Sequence, residues 1–427
     1  MPGLDRGDQE LTMTYTGTVV VIPTRNRAAI ATNAIRSVLN QPPENVAVLV
    51  SDNSTSETER QALAEFCAKQ ADSRLRYVRP PAALSMPAHW DWAIHEALRS
   101  YDASHFLYLT DRMMFRKGAL SEVLKLAALY PDKVITYNQD RIVDNVTPIR
   151  VEQYPGTGKL LEVDSLRFTW LLSQAIFHPA LPRMNNSVAP RAVLARIDER
   201  FGTVFASISP DFNFCCRCLE IEESVLFYDK SPIFHYALAR SNGASVTRGE
   251  MTPDYRDFTA NLPSADAIWH ATPIPKLNTA VNAVFHEYFL FQRETRSDRF
   301  FPVDHEKYLQ ANANEVEQII DPQLKAEMLS LLVSSGYRVL AKNGAHDAAP
   351  LGHRFKAKMK RIATAPPTTS AWLFAARNLG VRPPGDNQFD FARLDDAIDY
   401  AQNISTGSVT TSRAYEELLQ PREIPKQ

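Results

Sequence analysis

The chain has 427 residues, 44% of them hydrophobic, and its 47 Lys and Arg nearly balance 49 Asp and Glu, for a formal net charge of -2. At about 100–200 residues per domain, this length allows two or three domains with sizeable cores. The charge balance excludes a dedicated nucleic-acid binder, which carries a basic domain or stripe, and no run approaches the ~18 apolar residues that would span a bilayer.

A soluble, cytoplasmic protein is therefore expected. Residues 1–17 are polar, carry Asp5, Asp8 and Glu10, lack an apolar core and read as a disordered leader, not a signal peptide. From residue 18 onward, short apolar or β-branched runs recur at roughly thirty-residue intervals: Thr18–Ile22, Val46–Val50, Leu75–Val78, Phe106–Leu109 and Val134–Tyr137. Between the first two, Ile30, Ala34, Ile35, Val38 and Leu39 fall at helical spacing within Ala28–Leu39. The segment Ser54-Thr55-Ser56-Glu57 offers capping hydroxyls and an acidic first turn to a helix over Glu57–Lys69. Strands alternating with helices of this length predict an α/β protein, with a mostly parallel central sheet flanked by helices. Residues 138–240 are less regular, with several prolines, a helix predicted over Asp211–Ile221 and a strand at Val225–Tyr228. The pattern turns helical from about 277 to 345, and 346–427 combine a basic segment, proline breaks and a polar tail. Cys67, Cys215, Cys216 and Cys218 lack the second ligand pair of a zinc site and read as buried small hydrophobes.

In open α/β sheets, ligands sit outside the carboxyl ends of the strands. The first strand leads into Pro23-Thr24-Arg25-Asn26-Arg27, the second into Ser51-Asp52-Asn53-Ser54-Thr55, and the fourth into Thr110-Asp111-Arg112. Asp52 suits a ribose hydroxyl or a base N–H, while Arg25 and Arg27 suit phosphate oxygens. Ordinary turns favour some of these residue types too, but their recurrence on adjacent strand ends points to a binding edge.

Val19–Arg27 and Val48–Ser56 together resemble the opening of family 2 glycosyltransferases, and Ser85-Met86-Pro87-Ala88-His89-Trp90 resembles the stretch those enzymes carry before their metal motif. The resemblance covers about residues 18–245. It implies a GT-A-like nucleotide-sugar-binding and catalytic domain over 18–250, followed by a mainly helical extension over 251–345 and a basic, helical C-terminal segment with a polar tail over 346–427. The implied activity is transfer of a sugar from a nucleoside-diphosphate donor to a hydroxyl on a glycan, polysaccharide or lipid-linked acceptor, as in bacterial surface polysaccharide assembly. By the same analogy Pro23, Thr24, Arg25, Arg27, Asp52, Asn53, Met86 and Trp90 hold the donor, and Asp111 marks the Asp-x-Asp motif that binds Mg²⁺ or Mn²⁺. Only one carboxylate of that motif is present here. Three readings stay open: a divalent ion held through Asp111, a diphosphate neutralised by Arg112, or an Arg112 that faces solvent or pairs with Asp111. His235 is either a further metal ligand or a structural histidine, and Arg240, near Gly243, is a diphosphate contact.

Asp211 follows Pro210 at a helix start and takes the place of the general base of inverting family members. The plain alternative is a carboxylate that satisfies the helix dipole. Asp140 and Arg141 would line the acceptor side. Residues 353–374 form a basic amphipathic stretch suited either to peripheral contact with the inner membrane face or to a solvated helix. The depleted acidic motif also admits a degenerate transferase that serves as a nucleotide-sugar-binding or scaffold module.

Overall fold

The computed structural model describes residues 14–42, 45–154, 156–241, 243, 245–246, 252, 255–256, 258, 269–338, 388–403, 419–420 and 422–423. The first half alternates strand and helix: β1 (Thr14–Thr24), α1 (Ala28–Leu39), β2 (Val46–Asp52), α2 (Glu57–Gln70), β3 (Leu75–Val78), α3 (Met86–Ser100) and β4 (Tyr101–Tyr108). These strands pair in parallel in the order β3-β2-β1-β4. Their sequences explain the arrangement. β2 is buried along its whole length, and a strand covered on both faces reads as a continuous apolar run. Along β1, Val19 and Val21 join one core while Val20 and Ile22 join the other, as the two-residue strand period requires. Helix α1 buries Ala28, Ala31, Ala34, Ile35 and Val38 against the second core. Ser56 caps α2 by accepting from the Glu59 amide.

The chain then runs through β5 (Met113–Phe115), α4 (Ala119–Leu129), β6 (Ile135–Val143), β7 (Ile149–Glu152), β8 (Leu160–Asp164), α5 (Ser165–Ser173), β9 (Ser187–Pro190), α6 (Arg191–Phe201), α7 (Pro210–Ile221) and β10 (Ser224–His235). Here antiparallel pairings dominate, with β9 inserted between β4 and β6, while β6 and β10 run parallel. The expected strands at Val134–Tyr137 and Val225–Tyr228 extend into β6 and β10, and the irregular look of the stretch between them hides β7, β8 and β9, each too short to show a period.

Helices α8 (Ala280–Thr295), α9 (His305–Val316) and α10 (Pro322–Ser334) pack Phe285, Tyr288, Tyr308, Leu309 and Leu332 into the same core as Val19, Trp90 and Phe106. Near the C-terminus, β11 (Gln388–Phe391) pairs with β7, and β12 (Arg422–Glu423) pairs with β8. α11 (Leu394–Asn403) buries Ala397 and Ala401. The buried Arg116 ties this segment down by donating to the Ala401 carbonyl and pairing with Asp140. β1 begins at Thr14, inside the expected leader, and the basic stretch 353–374 lies outside the described residues. No helix among the described residues is long and apolar enough to cross a membrane.

Candidate functional site

Three parallel strands end at one edge. Thr24 at the end of β1 is in register with Asp52 at the end of β2, and Val21 with Tyr108 at the end of β4. Polar loops therefore leave adjacent strands side by side, at the point where the order reverses around β1. Asn26 stitches two of them together: its side-chain Oδ1 accepts from the Thr55 and Ser56 amides, both at 2.9 Å, and its backbone N–H donates to Ser54 Oγ at 2.8 Å. Its φ of 54° is left-handed, a conformation asparagine tolerates better than most residues.

Asp111, just past β4, is 4% exposed. One carboxylate oxygen accepts from Thr24 Oγ1 at 3.0 Å and the other from Arg27 Nη1 at 3.4 Å. Other arginines are held around it by backbone carbonyls. Arg112 donates to Tyr236 O at 3.3 Å, Arg240 to Asn26 O at 3.3 Å and Arg25 to Leu84 O at 2.9 Å. These side chains line one cavity of about 660 Å³. Thr110 Oγ1 and Asn185 Oδ1 on its wall are buried and have no partner among the described residues, a vacancy that a polar ligand would fill.

The facing wall is helical. Ile208, Ser209, Pro210, Asp211 and Phe212 line it from the start of α7, and Ala280, Ala283 and Val284 line it from α8. Pro210 occupies the first turn of α7, where a missing N–H costs nothing, and Asp211 follows it. Tyr255, Phe258 and Trp269 add an aromatic flank.

The cavity brings together Pro23, Thr24, Arg25, Arg27, Asn53, Met86, Trp90, Asp111, Arg112, Asp211, His235 and Arg240. Asp52 departs from expectation. It is fully buried, off the cavity wall, and accepts from Tyr77 OH at 2.7 Å and from the Ser54 amide at 2.8 Å, so its carboxylate fastens β2 to β3 and shapes its own turn. Asn53 reaches the wall but clamps the Leu84 loop in both directions, donating at 2.8 Å and accepting at 3.0 Å. Trp90 packs on Tyr108 and edge-on to Phe205, with ring centroids 5.2 and 5.5 Å apart. Its neighbour His89 bonds Ser51 Oγ at 2.8 Å, and burial drives its imidazole down to about 3. Asp140 and Arg141 do not line the cavity. Asp140 is buried with Arg116, Arg141 pairs with Glu152, and Gln139 stands on the wall instead. The four cysteines are buried free thiols, and burial pushes Cys67 up to about 12.

Residues 19–174 match the family model described as Glycosyl transferase family 2. That stretch, a little over a third of the chain, is similar to a family 2 glycosyltransferase domain. The match lies within the α/β alternation of strands and helices expected from the sequence. Among solved structures it is similar to S. aureus TarS 1-349 in complex with UDP-GlcNAc, with 14% identity, 73% of this chain and 84% of that chain covered, and a TM-score of 0.42. It is also similar to the same TarS fragment in complex with UDP, with 14% identity, 75% and 88% covered, and a TM-score of 0.39. No curated protein matches the chain. Gln139, Arg183 and Asn185 of the cavity had no motif to announce them, because they come from a strand and turns in the irregular middle of the sequence.

The family's divalent ion can be tested against the donor set. Hard cations need several oxygen ligands, whereas both Asp111 oxygens already take up a hydroxyl and a guanidinium. No group of three His, Cys, Asp or Glu among the described residues could hold a metal. On the cavity wall at the strand ends the described residues thus offer a single carboxylate, Asp111, and no preformed cage for an ion resident without the donor. They do fit an oxyanion, since a guanidinium offers phosphate a planar fork of donors.

Proposed function

We propose that the enzyme transfers a sugar with inversion from a nucleoside-diphosphate donor to a hydroxyl on a glycan or lipid-linked acceptor, with Asp211 as general base. The observation that carries this reading is that Asp211 and the arginine-ringed edge around Asp111 line one cavity, whose volume of about 660 Å³ lies in the range of ligand sites. Asp211 takes the acceptor's hydroxyl proton as its oxygen attacks the anomeric carbon from the side opposite the diphosphate. The bond from the anomeric carbon to the β-phosphate oxygen breaks, and the electron pair leaves with the nucleoside diphosphate. Arg27, Arg112 and Arg240 meet the charge that develops there, in a partly water-excluded site where fixed donors are most effective. Thr24, Arg25 and Met86 shape the remainder of the donor side, with Trp90 behind them.

A screen of UDP-, GDP-, CDP- and dTDP-sugars by thermal shift, with UDP-GlcNAc the first to try, should raise the melting temperature for one donor class. Asp211→Asn should keep that shift and lose transfer. Retained turnover in this variant would remove Asp211 as the base, and a full set of unshifted melting curves would favour the scaffold reading.

A further inference from the structure

Asp211 sits in a first turn that has no side-chain cap of its own. Ser209, in the capping position of α7, makes no capping side-chain hydrogen bond, and Ser207 before it adopts a left-handed φ of 61°. The restraint comes from another element. Glu287 on α8 is fully buried and accepts from the Ser209 amide at 2.9 Å, the Ile208 amide at 3.2 Å and Asn213 Nδ2 at 3.2 Å. The Ser207 side chain donates to it as well. Asn213 completes the frame by accepting from the Ala206 amide at 3.1 Å. Asp211 lies between two points that Glu287 fixes, Ser209 and Asn213.

We propose that Glu287 is a positioning residue for sugar transfer: from α8 it clamps the Ala206–Ser209 approach and the first turn of α7, and so aims Asp211 into the cavity. This rests on Asp211 being the base. The chemistry of the position favours a carboxylate. Every group that converges on it is a donor, and an ionised carboxylate only accepts, at about four lone-pair sites, whereas an amide would turn two donors toward donors. Burial of a carboxylate is costly unless its hydrogen bonds are satisfied, and here two backbone amides, the Asn213 side-chain amide and a serine hydroxyl satisfy it. Arg217 on α7 adds longer-range attraction. Desolvation still raises the Glu287 carboxyl to about 7. The placement is functional as well as structural, because Ala283 and Val284, one turn earlier on α8, are themselves cavity wall. A helix outside the matched residues 19–174 thus couples the wall it forms to the side chain that acts across the cavity.

The test compares Glu287→Ala, Glu287→Gln and Asp211→Asn in steady-state transfer, with the donor identified by the screen above and near-UV circular dichroism as the fold control. Glu287→Ala should lower kcat on the order of 100-fold, the cost of a misplacement of about 1 Å, with the donor KM within about two-fold of wild type. Glu287→Gln, which keeps one acceptor oxygen, should fall about tenfold. A folded Glu287→Ala with unchanged kcat, or with donor KM raised as much as kcat is lowered, overturns the proposal while an inactive Asp211→Asn leaves the base assignment standing. If the alanine variant fails to fold, the glutamine variant decides by the same two parameters. Turnover retained by Asp211→Asn would instead overturn the base assignment and the proposal with it.

Discussion

The strand-end wall of the cavity and the helical wall opposite are held by different means. On the first, Thr24, Arg27, Asp111 and Arg112 leave their strands directly, so the ladder of a parallel sheet sets their positions to within a residue. On the second, Asp211 depends on an approach segment held by Glu287, 78 residues further along the chain. The family match stops at residue 174, so it covers the first wall and none of the second. A wall made of strand ends is short-range in sequence and leaves motifs. A wall made by two packed helices is defined by tertiary contacts and leaves almost none.

Under the proposed function one wall binds the donor and the other acts on the acceptor, so the two should separate in mutant kinetics. The largest effect is expected at Asp211. Its replacement by Asn should lower kcat by about 10³, the middle of the range for general base catalysis, with donor affinity unchanged in calorimetry. Next come the arginines: Arg112→Ala or Arg27→Ala should weaken donor binding by roughly 10- to 100-fold, as expected for removing a charged partner of phosphate. Arg112→Lys should not restore it fully, because an ammonium lacks the bidentate fork. Equal losses in binding and in kcat from mutations on both walls would dissolve the distinction.

A smaller effect concerns stability. His89, beside Ser51 under the strand-end wall, is held neutral in the fold down to a pKa of about 3, while an unfolded histidine titrates near 6.5. Between these values the unfolded chain binds the extra proton, so stability is full above pH 6.5 and falls as the pH drops toward 3. Denaturant unfolding at pH 7 and pH 4.5 should show a loss on the order of 2 kcal/mol in the wild type, and a shallower one in His89→Gln. An unchanged slope in that variant would place the acid sensitivity elsewhere. The smallest effect is expected from chelation. With arginines answering the diphosphate charge, EDTA should change donor affinity by less than about two-fold, and a larger loss would restore an ion to Asp111.

The same contrast explains what the sequence disclosed. Helix α1 and the runs of β1, β2 and β4 were legible because burial on both faces forces apolar continuity, and Asp111 and Arg27 because polar residues interrupted it at a strand end. Asp52 looked identical at that level. Its burial under Tyr77 is set by the pairing of β2 with β3, which no local pattern records. Glu287 had no signal at all: it falls in an amphipathic helix among Phe285, His286 and Tyr288, where a lone Glu reads as an ordinary surface residue. Its burial appears only once α8 lies across α7. β11 and β12 were missed for a related reason, since each is short and pairs with a strand far away in sequence.

The division of labour between the walls is tested most directly by measuring donor affinity and turnover on Asp211→Asn and Arg112→Ala side by side. The expected result is a donor-binding, non-transferring Asn variant and a weakly binding Ala variant whose kcat at saturating donor is reduced far less. Transfer by the Asn variant, or loss of donor binding from it equal to that of the Ala variant, would contradict the assignment of catalysis to the helical wall.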